Sequence, residues 1–267
     1  AVAYEKTGQI NLAIETILKK DEISPGLYET HANLGTFYIH AGRLEEGLKE
    51  LKKAIEINPS AHFGREIYQI LLVEYVLSKT TNGKLQLPMS PHSNVGATYG
   101  FGSYIMESRR REAGWTDDGF REESKNAIEG ILGMMRFGSY DSPVLLEALS
   151  DLLMMRRQAT QSKLWMIGET ETKQLAARAL LHASYESTAL KQKSQYRRKA
   201  ENVLSMQSTA EDTAGRQLIP IEFERQFLAE LDAGKVWYEN IVRQEELWIS
   251  YQPDPEIESD KPSQSER

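Results

Sequence analysis

Histidine supplies the scarcest groups able to ligate a metal or move a proton near neutral pH, and the chain has five: His31, His40, His62, His92 and His182. None stands in an HExxH-type spacing, so a metal site would have to be gathered from distant segments. They read as surface or packed imidazoles, with His92 set apart in a stretch rich in glycine and proline. Cysteine is absent. That removes disulfides, thiolate ligands and a thiol nucleophile. No GxSxG pattern presents a serine nucleophile. Gly96, Gly100 and Gly102 lack both the preceding strand and the Lys-Ser/Thr or dinucleotide spacing of a phosphate loop, so close packing is their reading. Arg109-Arg110-Arg111 is flanked by Glu107 and Glu112 and reads as solvated helix, as do Arg156-Arg157 and Arg197-Arg198-Lys199. Met134-Met135 and Met154-Met155 read as adaptable core filling. The expectation is no catalytic residue, no metal and no cofactor.

Charge narrows the partners. A net charge of −7 over 267 residues argues against non-specific nucleic-acid binding, which needs a basic footprint, and against docking on anionic lipid. No apolar run approaches the ~20 residues of a membrane-spanning helix. Ala1 falls inside a helical pattern, so an upstream segment is expected. With the lack of cysteine, this leans the reading toward an extracytoplasmic location, with the cytoplasm as the alternative.

What could position these groups is a set of helices. Tyr4 and Tyr38, Gly8 and Gly42, Ala13 and Gly47, Ile17 and Leu51, and Pro25 and Pro59 are each 34 residues apart. The pattern over 28–59 predicts helices at 28–41 and 43–57, joined by a tight turn at Gly42 and ended by Asn58-Pro59. Gly35, Gly47 and Ala54 allow close helix approach. The string Asn33-Leu34-Gly35, Tyr38, Gly42, Gly47, Leu51, Ala54 and Pro59 resembles the tetratricopeptide repeat. His31 stands where that family favours Trp, and Gly47 where it favours Ala. Residues 1–7 and 9–21 read as the end of a preceding unit, with Lys20 in place of a small residue. Ala61–Lys79 reads as the first helix of a third unit that caps the array, with no second helix directly after it. The expected fold is all-α: a tetratricopeptide-like superhelix over 1–79, continued by a C-terminal helical region.

Residues 80–102 read as a long ordered loop across the surface, because Leu85, Leu87, Met89, Tyr99 and Phe101 are too apolar for a linker. A helix is expected near Tyr99. Domain 103–251 is helical again: a helix from the N-cap Thr116 to about Arg136, a buried one over 143–157 beginning Ser142-Pro143, then 163–186 and 192–206, and a long one over 221–251. Leu175, Ala179, His182 and Ala183 form the expected face of the third. Residues 252–267 read as a disordered polar tail.

The resemblance implies protein or peptide binding in a groove and no catalysis. Groove positions of the first helix are Glu29, Ala32, Thr36, Ile39 and His40; the capping helix adds Phe63, Glu66, Ile70 and Val73. A mildly apolar or basic segment is the guest that suits this mixed lining, unless the chain's own loop 80–102 fills the groove. Two other readings stand beside this scaffold. In one, 103–251 is a ligand-binding or enzymatic domain with the repeats as an appendage. In the other, the chain is a structural subunit of an envelope assembly, self-associating through helix 221–251.

Overall fold

In the computed structural model, residues 1–59, 64–90, 100–110, 116–160, 169–205 and 220–250 are described. They form two compact units, Ala1–Thr213 and Ala214–Arg267.

The first unit begins with α1 (Val2–Lys6), α2 (Ile10–Ile23), α3 (Tyr28–His40) and α4 (Leu44–Ile57). The repeat is visible in the backbone itself. Gly8 and Gly42 both take φ +76°. At the first turn Gly8 N bonds to Glu5 O (3.0 Å) and Gln9 N to Tyr4 O (2.8 Å); at the second Gly42 N bonds to Ile39 O (2.9 Å) and Arg43 N to Tyr38 O (2.8 Å). A left-handed glycine after the last helical turn satisfies those carbonyls and reverses the chain. Ala13, Ile14 and Ile17 then pack on Leu34, Phe37 and Tyr38.

Between α3 and α4 the small residues act by absence. A Cβ on Gly35 would lie 2.8 Å from Leu51 Cγ, and one on Gly47 would lie 2.6 Å from Ile39 Cγ1 and 2.9 Å from Gly35 O. Glycine rather than alanine therefore suits position 47. Gly47→Ala should cost roughly 1–3 kcal/mol by overpacking, read as a lower urea midpoint at an unchanged slope. His31 is buried and its Nδ1 lies 2.8 Å from Glu50 Oε2, while Lys53 bonds Glu50 Oε1 at 2.9 Å. Burial alone would lift the Glu50 carboxyl; the bonds from Lys53 and His31 outweigh it and hold the group below its usual range.

The next helix, α5 (Arg65–Ser78), starts after Gly64 at φ +74°; positions 61–63, where the sequence pattern starts it, lie outside the described residues. A two-stranded hairpin follows, β1 (Thr80–Thr81) and β2 (Lys84–Leu85), turning at Asn82-Gly83 with both residues at positive φ. Then come α6 (Gly100–Arg110), α7 (Asp117–Phe137), α8 (Pro143–Thr160), α9 (Glu169–Glu186) and α10 (Leu190–Ser205). The helix expected near Tyr99 is α6. Thr116 caps α7 by accepting a bond from Gly119 N at 3.2 Å.

The partner that α5 lacks in adjacent sequence arrives from further along. Helix α7 packs on α5. A Cβ on Gly130 would meet Tyr68 at 2.7 Å, one on Gly133 would meet Arg65 at 3.2 Å, and Tyr68 Oη donates to Glu123 at 3.1 Å. Contact positions rise along α5 as they fall along α7, so the two run antiparallel, as α3 and α4 do. From there α8 packs on α7, α9 on α8 and α10 on α9. The helical array thus continues through the first unit, and the segment between α5 and α7 is an insertion within a helix pair.

One expected face is only partly the buried one. Ala179 and Ala183 are buried, but Leu175 is exposed and His182 half-buried, and α9 also buries Ala176, Ala177, Leu180 and Leu181. Alanines stand on both sides of the α9 pattern, so spacing alone fits either face. The second unit contains α11 (Pro220–Ser250). The tail 252–267 lies outside the described residues.

Candidate functional site

The insertion is held from below by two acids on one face of α8. Glu147 and Asp151 are four residues apart, hence one helical turn apart on the same side. Both are buried, Glu147 completely. Glu147 Oε2 accepts from Met89 N (2.8 Å) and Tyr196 Oη (2.9 Å); its Oε1 accepts from Ser90 N (3.1 Å), Ser90 Oγ (3.1 Å) and Lys199 Nζ (2.6 Å). Asp151 Oδ2 accepts from Phe101 N at 2.9 Å, and a Cβ on Gly100 would stand only 2.2 Å from that oxygen. Lys199 Nζ also reaches Ser90 Oγ at 2.8 Å.

The physical need for acids here is plain. The backbone N–H groups of Met89 and Ser90 lie outside any helix or ladder, and that of Phe101 is one of the first-turn donors of α6 that the helix leaves without a carbonyl; each needs an acceptor. Met89, Phe101 and Ile105 are buried beside them. The loop expected to lie across the surface is therefore anchored in the core at both of its described ends. Residues 91–99, His92 and Gly96 among them, lie outside the described residues. Helix α6 packs on α5 and α8, and Tyr75 of α5 meets Phe101 (centroids 5.5 Å apart) and Tyr104 (5.4 Å).

Electrostatics follow from burial. Desolvation pushes the Asp151 carboxyl up to about 6; the Lys199 ammonium opposes that rise and the Glu147 charge adds to it. Burial alone would lower Lys199, but Asp151 and Glu147 outweigh it and hold the ammonium above its ordinary value. Tyr196 and Tyr75 are pushed up, first by burial and then by the neighbouring carboxylates. The Tyr75 hydroxyl is buried with no hydrogen-bond partner among the described residues. A carboxyl near 6 beside an ammonium can exchange a proton, yet Asp151 Oδ2 is taken up by Phe101 N and Lys199 Nζ by Ser90 Oγ and Glu147 Oε1. Chemically the cluster is a clamp on a peptide segment.

The residues expected to line a groove do not share one open face. Glu29 and His40 are exposed, and His40 Nδ1 pairs with Glu5 Oε1 at 2.8 Å. Thr36 is half-buried, donates to Ala32 O (3.0 Å) and accepts from Gln69 Nε2 (3.2 Å). Ile39 lies over Gly47. Ala32 is buried with Tyr28 and Ala54. Glu66 is buried with Arg65 Nη2 at 3.2 Å, and Ile70 is buried as well. Phe63 lies outside the described residues. His182 Nε2 is 3.5 Å from Glu186 Oε1. Among the described residues no group of three His, Asp or Glu side chains is placed to hold a metal, and no helix is long and apolar enough to cross a membrane.

Sequence reasoning missed Glu147, Asp151, Tyr196 and Lys199. Helix α8 reads as apolar all round, and Lys199 sits in a basic run that reads as solvated. The available signal is the i, i+4 acid pair on an otherwise apolar helix, with a lysine three residues after a tyrosine on α10.

A helix pair closed by glycine turns in 34-residue register, continued by further antiparallel helices, defines an all-α helical-repeat protein. Residues 28–60 match the family model of the tetratricopeptide repeat. No curated protein and no solved structure matches the chain.

Proposed function

We propose that the chain is an interaction scaffold that binds a protein or peptide partner through its helical array and carries out no chemistry of its own. The observation that carries this reading is the 34-residue register together with its match to a repeat whose general role is protein binding. The clamp refines the reading. Surfaces of α5, α8 and α10 that would receive an extended guest hold the chain's own 89–101 ends, through carboxylates that grip main-chain N–H groups. The external partner is then assigned to the neighbouring α3 face, where Glu29 is exposed and Asn33 and Thr36 are half-buried. That polar, acid-bearing strip suits a mildly apolar or basic segment.

The test is capture with the intact chain. Glu29→Lys should weaken binding of a captured partner by about tenfold or more, as loss of a charge-assisted contact would, and Thr36→Arg should weaken it by placing a bulky cation on the strip, while far-UV circular dichroism stays unchanged. Equal recovery of the same partner by wild type and both variants would remove α3 from the interface.

A further inference from the structure

Helix α11 carries a feature the repeat does not use. From Asp232 to Ser250 its described side chains are exposed, apart from the half-buried Ile241 and Val242. Exposed among them are Trp237 (65%), Tyr238 (63%) and Trp248 (73%), with Val236 and Leu247. A helix standing in water has little stability beyond propensity, and large aromatic groups gathered on it mark a contact surface.

Spacing identifies the surface. Phe227, Gly234, Ile241 and Trp248 recur every seven residues, and Leu231, Tyr238 and Glu245 recur every seven between them. The alternating steps of four and three are those of a coiled-coil seam. Charge chooses the occupant. In a parallel, in-register pair, residues five apart flank the seam across the interface. That relation places Glu230 of one copy beside Lys235 of the other, and Trp237 beside Val242. From Glu230 to the end of the helix acids outnumber bases, with Glu230, Asp232, Glu239, Glu245 and Glu246 against Lys235 and Arg243, which disfavours an anionic lipid surface.

We propose that α11 pairs with the α11 of a second copy as a parallel two-stranded coiled coil, seamed by Leu231, Tyr238, Ile241 and Trp248. Glu245 lies in that seam and opposes its own copy across it, so it weakens the pair and makes it adjustable.

Sedimentation of the full chain tests this. Wild type should dimerise with rising concentration. Tyr238→Asp with Ile241→Asp should abolish the dimer, and since Tyr238 is exposed and Ile241 half-buried, the first unit should keep its circular dichroism signal. Glu245→Leu should tighten self-association about tenfold or more by replacing a seam charge with an apolar group. With no native cysteine, Trp248→Cys should form one symmetric disulfide near the end of the paired helices. A monomer at every concentration in both wild type and Glu245→Leu would overturn the proposal. So would a dimer indifferent to the Tyr238/Ile241 change, a dimer whose Trp248→Cys form never cross-links, or a monomer that binds anionic vesicles.

Discussion

Glu147→Ala should lower the stability of the first unit by ~3–5 kcal/mol, the cost of removing one partner from a buried ion pair. The carboxylate accepts from five donors: Met89 N, Ser90 N, Ser90 Oγ, Tyr196 Oη and Lys199 Nζ. Without it Lys199 keeps Ser90 Oγ as a neighbour and Asp151 as a nearby charge, but two main-chain N–H groups and a phenol lose their acceptor in the interior. The measurement is urea unfolding followed by circular dichroism. Glu147→Gln keeps the shape and one acceptor oxygen, so it should fall between wild type and alanine. Limited proteolysis adds a local readout. Cleavage within 80–90 should accelerate in Glu147→Ala well beyond any change within α3 and α4, because the clamp fastens that segment and not the repeat. A loss below ~1 kcal/mol, the usual range for a solvent-exposed pair, would mean that water reaches the cluster.

The parts legible in the sequence are those where short-range physics decides. Gly8 and Gly42 announce their turns because few other residues take φ near +76° without strain. Gly35, Gly47, Leu51 and Ala54 announce a close helix pair because their sizes interlock at helical spacing. Thr116 and Pro143 mark helix starts through local backbone chemistry. The clamp belongs to another class. Ser90 and Glu147 are 57 positions apart and Lys199 lies 52 further on. Nothing local in "Arg-Arg-Lys" says that Lys199 turns inward while Arg197 and Arg198 sit elsewhere on α10. The pairing of α5 with α7 is hidden for the same reason: the insertion separates two helices that close packing at Gly130 brings together. Periodicity reports which side of a helix is apolar, and it is silent on a buried polar group whose partners come from other elements.

That buried polar group also sets the pH response. Asp151 has its folded-state pKa raised from 3.8 to about 6, chiefly by burial. The native chain therefore binds this proton more tightly than the unfolded chain. Between those two values stability must fall as pH rises, since the native state holds more proton. Below about 4 both states are protonated and the cost of burying the charge is absent; above about 6 the cost is fully present. The expected result is that unfolding free energy rises on going from pH 7.5 to pH 5 by roughly 1.4 kcal/mol from this group, since only about one unit of the interval between 3.8 and about 6 lies above pH 5 and each unit is worth about 1.4 kcal/mol. Carboxylates that ion pairs hold low, Glu50 among them, begin to lose their contribution only at lower pH, so they do not reverse the trend in this window. Asp151→Asn isolates the contribution of this one group. It can still accept from Phe101 N through its amide oxygen but carries no charge to bury. The wild-type minus Asp151→Asn difference should change by that amount between the two pH values. A difference flat across pH 5 to 7.5 would place the proton elsewhere in the cluster. If the difference instead grows toward high pH in favour of wild type, Lys199 must hold the Asp151 charge more strongly than burial opposes it.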